Sequence, residues 1–146
     1  MKFIIISVGK IPSNNPENKI IQEYLKKFPW KIEFIELKPE NNLKKTSKKM
    51  LQYIEKIDLP ILLDKTGKHY SSENFASYLN NLNNMGMNKI AFLIGGAEGF
   101  HEDIYNNIKN AISLGHMTYS HKLAKIILVE QLYRAWTILS NHPYPK

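Results

Sequence analysis

Three observations predict an α/β domain built on a mostly parallel five-stranded sheet with helices on both faces. Continuous or period-two apolar runs alternate with helix-period runs from one end of the chain to the other. No linker or low-complexity tract interrupts that alternation. At 146 residues, 43% of them hydrophobic, the chain is sized for one domain, residues 1–146, with room for a core but not for a separate second module.

The elements follow in order. Lys2 to Val8 is an apolar strand, and Pro16, a favoured first helical residue, opens a helix with Ile20, Ile21, Tyr24, Leu25 and Phe28 on one face; Pro29 ends it. Alternation of Ile32, Phe34 and Leu37 marks a second strand, closed by Pro39. Thr46 or Ser47 is the expected cap of a helix carrying Met50, Leu51, Ile54 and Ile57. The third strand spans Ile61 to Asp64, with a turn through Gly67. Ser71 or Ser72 then caps a helix with Phe75, Tyr78, Leu79 and Leu82 inward, stopped by Gly86. Lys89 to Ile94 is a fourth strand, followed by the glycine-rich segment 95–99 and a short helix with Ile104, Tyr105 and Ile108. A brief fifth strand, Ala111 to Leu114, leads through a loop into a last helix at about His121 to Ser140. That helix is apolar on most of its circumference, so it needs cover on more than one side, and a second subunit is a natural source.

Composition excludes several classes. Without cysteine there is no disulfide framework, zinc ribbon, iron-sulfur cluster or thiol nucleophile, and a cytoplasmic address is permitted. The opening apolar run is too short for a secretory signal or a membrane span. A net charge of +7 favours polyanionic partners without identifying one. Nineteen of the twenty basic residues are Lys, so the cluster Lys44, Lys45, Lys48 and Lys49 suits a solvated helix start as well as a phosphate site.

In open α/β sheets ligands gather beyond the carboxyl ends of the strands, which directs attention to Leu63–Tyr70, Gly95–Phe100 and Leu114–Ser120. Gly95-Gly96-Ala97-Glu98-Gly99 suits either a ligand loop or a tight turn, and its spacing is neither a dinucleotide fingerprint nor a Walker loop. Glu98 fits a loop anchor. Backbone groups, the Thr118 hydroxyl and apolar walls between Leu114 and Tyr119 suit a neutral heterocycle such as adenine. His116 lacks a partner at metal-ligand spacing, and His121 suits a cap or packing role. Arg134 lies one turn after Glu130, which allows an ion pair; as the one guanidinium of the chain it also suits bidentate recognition of phosphate or carboxylate. The proline-stiffened terminus Asn141-His142-Pro143-Tyr144-Pro145-Lys146 carries an imidazole and a phenol.

FLIGGAEGF, LGHMTYSHKLAKIILVEQLYRAW and the terminal NHPY together resemble the ribosomal RNA large subunit methyltransferase H family, small members of the SPOUT class. The resemblance covers the whole chain. It implies a C-terminal trefoil knot, a homodimer in the cytoplasm, S-adenosylmethionine as methyl donor with no metal, and methylation of N3 of a pseudouridine in 23S rRNA of the assembled ribosome. Carried over by position, the donor site comprises Leu63, Gly95, Leu114, Gly115, His116, Met117, Thr118 and Tyr119. The family tail runs Tyr-His-Arg or Tyr-His-Lys, whereas Tyr144 is here followed by Pro145, which leaves Arg134, His142 and Tyr144 as catalytic candidates. The rival expectation is a flavodoxin-like or nucleotide-sensing module without methyl transfer.

Overall fold

The computed structural model describes residues 1–144; Pro145 and Lys146, where the tail departs from the family pattern, lie outside the described residues. Five strands, β1 (Lys2–Val8), β2 (Lys31–Leu37), β3 (Leu59–His69), β4 (Lys89–Ile94) and β5 (Ala111–Ser113), form one sheet in the order β2-β1-β4-β3-β5. Every neighbouring pair is parallel. Five helices alternate with them: α1 (Pro16–Leu25), α2 (Leu43–Tyr53), α3 (Ser72–Asn84), α4 (Glu102–Asn107) and α5 (His121–Leu139).

Side chains alternate between the two faces of each strand, so the sheet makes two cores. Phe3, Ile5, Ile61, Ile90 and Phe92 point to the face covered by α1, α3 and α5. Ile4, Ile6, Leu62 and Leu93 point to the other, where Met50 of α2 and Ile104 of α4 close over them. Each fully buried Ile or Phe contributes about 1.5–3 kcal/mol from the area taken out of water. These near-continuous apolar strands are the sequence pattern that a sheet covered on both faces requires.

Two expectations are corrected. The cap of α2 is Asn42, whose side chain accepts from the Lys44 amide at 2.8 Å; Thr46 and Ser47 lie inside the helix, both buried, with Ser47 Oγ donating to the Leu43 carbonyl. An Asn followed by a good helix former supplies the same acceptor four residues earlier. The third strand does not end at a turn through Gly67 but continues to His69. Leu63 and Lys68 both face Ile112, so the intervening residues leave the ladder and the strand then resumes beside β5. Gly67 is needed there because a Cβ would lie 2.6–2.7 Å from the backbone of Ala111 and Ile112. The residues Lys44, Lys45, Lys48 and Lys49 are exposed along α2, as a solvated helix face is.

Helix α5 packs on α1, α3 and the strands, burying Leu128, Val129 and Leu132. Its amino-terminal half also covers an ion pair: Lys125, 2% exposed, donates to Glu36 at 2.9 Å, and the Ile11 amide donates to the same carboxylate oxygen. Burial alone would raise the Glu36 carboxyl, but the bonds from Lys125 and Ile11 outweigh it and hold the group below its usual range. One stripe of α5 stays uncovered, with Leu123 at its start and Ile138 near its end. None of the described helices is long and apolar enough to cross a membrane.

Candidate functional site

The irregular middle of β3 at Leu63 to Lys65 and the carboxyl ends of β4 and β5 surround a cavity of about 390 Å3. Leu63 closes it from β3, Ile94 and Gly95 from β4, and Leu114 and Gly115 from the loop after β5, with Met117, Thr118 and Tyr119 completing that side. The three loops selected on the sequence therefore meet. Gly95 is required by its neighbours: a Cβ would sit 3.0 Å from the Gly99 carbonyl oxygen. Gly99 and Gly115 have φ of +73° and +120°, a region open to glycine and strained for other residues. Ser113 Oγ locks the second of these turns by donating to the Gly115 carbonyl and accepting from its amide.

Two carboxylates face this cavity, Glu98 and Asp64. Asp64 accepts from the Tyr105 hydroxyl at 2.9 Å and from both the amide and the hydroxyl of Thr66. Burial works to raise its carboxyl, yet those bonds hold it below the ordinary range, so it is ionised at neutral pH. Burial, together with the same contact, pushes the Tyr105 phenol up to about 12. His116 is the one residue from Leu114 to Tyr119 that does not line the cavity; its ring lies 4.7 Å from that of His69.

Arg134, His142 and Tyr144 meet elsewhere, in a groove along the carboxyl end of α5 that also takes in Ser72 and Glu73. Arg134 donates to Glu130 Oε1 from both Nε (3.1 Å) and Nη2 (2.6 Å), so the ion pair with Glu130 forms. Its guanidinium also lies over the Tyr144 ring, 4.8 Å from the centroid. Tyr144 donates to the same Glu130 oxygen and stands 3.4 Å from the Tyr24 hydroxyl. Burial, the Tyr24 contact and Glu130 raise the Tyr144 phenol, keeping it protonated. His142 packs its ring 5.1 Å from Trp136.

Between the two lies a smaller cavity of about 250 Å3, bounded by β3, β5, α3 and α5. It shares Leu114 and Gly115 with the first cavity and Ser72 with the groove. Ser72 donates to Gln131 at 2.8 Å, and Gln131 donates to Glu130 at 2.9 Å, so hydrogen bonds run unbroken from this cavity to Arg134. Sequence reading missed Asp64, Tyr24 and Gln131. Asp64 had a usable signal, directly after Leu63 at the end of a strand. Gln131 had a weaker one, an amide inside an otherwise apolar helix. Tyr24 had none, because a Tyr on the apolar face of α1 is indistinguishable from core.

Comparison with known proteins gives the family. The family described as predicted SPOUT methyltransferase matches residues 1–145. Ribosomal RNA large subunit methyltransferase H of Christiangramia forsetii is 36% identical over 156 residues, covering 99% of this chain and 98% of its own. The proteins of the same name from Carboxydothermus hydrogenoformans (36%) and Fusobacterium nucleatum (35%) align over the full length of both chains.

Proposed function

Because the chain belongs to the SPOUT methyltransferase family, we propose that it methylates large-subunit ribosomal RNA, taking the methyl group from S-adenosylmethionine and placing it on N3 of a pseudouridine in 23S rRNA of the assembled ribosome. The observation that carries this reading is the cavity between the middle of β3 and the ends of β4 and β5. Its volume lies in the range of about 300–1,000 Å3 that suits a nucleoside-sized ligand. Apolar walls at Leu63, Ile94 and Leu114 suit a flat heterocycle, and backbone at Gly95 and Gly115 can approach it closely. An ionised Asp64, with Glu98 on the same wall, suits a cationic donor in a chain that is otherwise strongly basic. These residues fit adenosylmethionine; a binding module for FMN or another phosphate-bearing nucleotide would set an anion against two carboxylates.

Adenosylmethionine supplies an activated methyl on a sulfonium leaving group. The chain's residues must align the acceptor, exclude water and manage the N3 proton, which is held at neutral pH. Arg134 supplies positive charge beside the imide as that proton leaves, or grips an adjacent phosphate. Tyr144, held as a phenol whose one proton goes to Glu130, positions the base with its ring, and His142 is the tail group that can accept the proton.

A single copy does not bring these groups to the donor. Helix α5 has 19 residues and so spans about 28 Å at ~1.5 Å per residue, with the donor loop at one end and the tail at the other. A homodimer resolves the separation. Two copies related by a two-fold axis would pack the uncovered stripe of α5 antiparallel, Leu123 against Ile138 of the partner subunit, and each donor loop would face the partner's tail. The C-terminal knot of the family is part of the same proposal, as is the assembled ribosome as substrate: charge attracts the dimer to rRNA and ribosomal context selects the nucleotide.

Transfer of labelled methyl from adenosylmethionine to whole ribosomes tests the reading, with sedimentation for the dimer. Selective adenosylmethionine binding and incorporation at one nucleotide are expected. Tight FMN binding with no incorporation would replace it with the flavodoxin-like alternative.

A further inference from the structure

The 250 Å3 cavity between the donor site and the Arg134 groove has no role in the account above. It is too small for a whole cofactor and large enough for one flat ring. Enzymes that modify a base commonly take it out of its stack into a snug pocket, hold it between aromatic or apolar walls and read its edge with hydrogen bonds. The cavity has those parts. Tyr70, stacked on Tyr78 at 5.2 Å, forms one wall, and Ile127 and Leu128 of α5 form another.

Its polar groups have the right sense. An imide nitrogen is flanked by two carbonyl oxygens, so a pocket that presents that nitrogen to a methyl donor needs hydrogen-bond donors on either side and an opening between them. Ser71 Oγ accepts from the Asn74 amide as the cap of α3, which leaves its hydroxyl proton to donate. Gln131 Nε2 gives one hydrogen to Glu130, and its second remains to donate; its Oε1 is fixed by Ser72. The Gln131 amide is thereby oriented from both ends. Leu114 and Gly115 bound both this cavity and the donor cavity, and Gly115 places no side chain on that boundary.

We propose that this cavity is the acceptor-base pocket: it receives one unstacked pyrimidine, with Ser71 and Gln131 donating to the carbonyls that flank its imide nitrogen. The inference rests on the methyltransferase reading and adds to it the place and polarity of the acceptor site. In the antiparallel dimer Ile127 lies opposite Arg134 of the partner subunit, so the same pocket receives positive charge from across the interface.

Isosteric or cap-preserving variants test this. Ser71→Asp keeps an acceptor for the Asn74 amide but removes the donated proton, and Gln131→Glu keeps the acceptor for Ser72 while removing the amide donor. Each should lower kcat/KM for ribosomes roughly 10- to 100-fold. Adenosylmethionine affinity by calorimetry should stay at wild-type values in both and the thermal midpoint in Ser71→Asp, whereas Gln131→Glu also sets a carboxylate against Glu130 and should lower the midpoint; Ser71→Asn, which restores a donor alongside the cap, should recover most of the activity. Turnover by both variants within twofold of wild type would overturn the proposal. A parallel loss of adenosylmethionine affinity would overturn it as well, by reassigning the cavity to the donor. Failure of the wild-type protein to methylate ribosomes at all is a different result, and removes the methyltransferase reading itself along with its acceptor pocket.

Discussion

The donor cavity and the groove around Arg134 are built from opposite materials. Backbone makes the first: glycines at 95, 99 and 115, strand residues Leu63 and Ile94, and a loop locked by Ser113. Side chains make the second, a hydrogen-bonded chain of Ser72, Gln131, Glu130, Arg134, Tyr144 and Tyr24 hung on one helix and its neighbours. A backbone site tolerates many side-chain changes but fails when a Cβ intrudes. A side-chain network fails at the loss of a single functional group.

Arg134→Lys tests the difference most severely. The variant keeps the charge and the ion pair with Glu130 but cannot present two donors in a plane to a third partner. Methyl transfer should fall roughly 100- to 1,000-fold, the range seen when a preorganised donor to developing charge is lost, while adenosylmethionine affinity is unchanged. A matching loss of donor affinity would show that the two regions are not separable.

Glu36→Ala tests what the two regions share. It strands the Lys125 ammonium beneath α5, the helix that carries both, at a cost of roughly 3 kcal/mol in urea unfolding. Donor binding and transfer should then decline together with the folded fraction on warming, in contrast to their separation in Arg134→Lys. The Glu36 carboxyl is held low in the fold, so its stabilisation is complete above the ordinary carboxylate range near pH 4.5 and is lost as pH falls through the depressed folded value.

Gly95→Ala is the milder converse. The new Cβ would press to 3.0 Å on the Gly99 carbonyl oxygen, so the loop must shift by a few tenths of an ångström. Adenosylmethionine affinity should weaken about tenfold, equivalent to about 1.4 kcal/mol, with maximal turnover at saturating donor nearly intact. Wild-type affinity would mean the loop has slack that its contacts do not show.

The backbone-built site was the more legible of the two in the sequence. Glycine spacing, strand ends and the apolar periodicities that place them are local signals, and they mark the segments Leu63–Tyr70, Gly95–Phe100 and Leu114–Ser120, within which the family resemblance places Leu63, Gly95 and Leu114 through Tyr119. His116, turned away toward His69, is the one member of that set outside the cavity, because loop direction is not a local property. The side-chain network was legible at Arg134, His142 and Tyr144 only. Tyr24 is 120 residues from Tyr144, and no periodicity encodes that meeting. Strand β3 shows the same limit inside the fold: a Gly that sequence alone assigns to a turn is held in the strand by the close approach of Ala111 and Ile112.

His121 stands where the two regions join, first residue of α5 directly after the donor loop, and it offers the smallest and most local test. Its ring packs against Gly9, where a Cβ would come within 2.9 Å of Nε2, and that nitrogen has no hydrogen-bond partner among the described residues. Burial, then the charges of Lys125 and Lys122, lower its pKa against an opposing pull from Glu36. A base whose folded pKa lies below its unfolded value near 6.5 binds fewer protons when folded, so stability rises with pH across that interval. The neutral ring's contribution is therefore complete above about pH 6.5 and is lost as pH falls toward the depressed folded value. Urea midpoints at pH 7.5 and pH 5 should differ in the wild-type protein, and His121→Phe, which keeps a flat ring and cannot be protonated, should reduce that difference; Glu36 is common to both proteins and drops out of the comparison. An undiminished pH dependence in the variant would locate the sensitive group elsewhere, and the junction between the donor loop and α5 would then be held by packing alone.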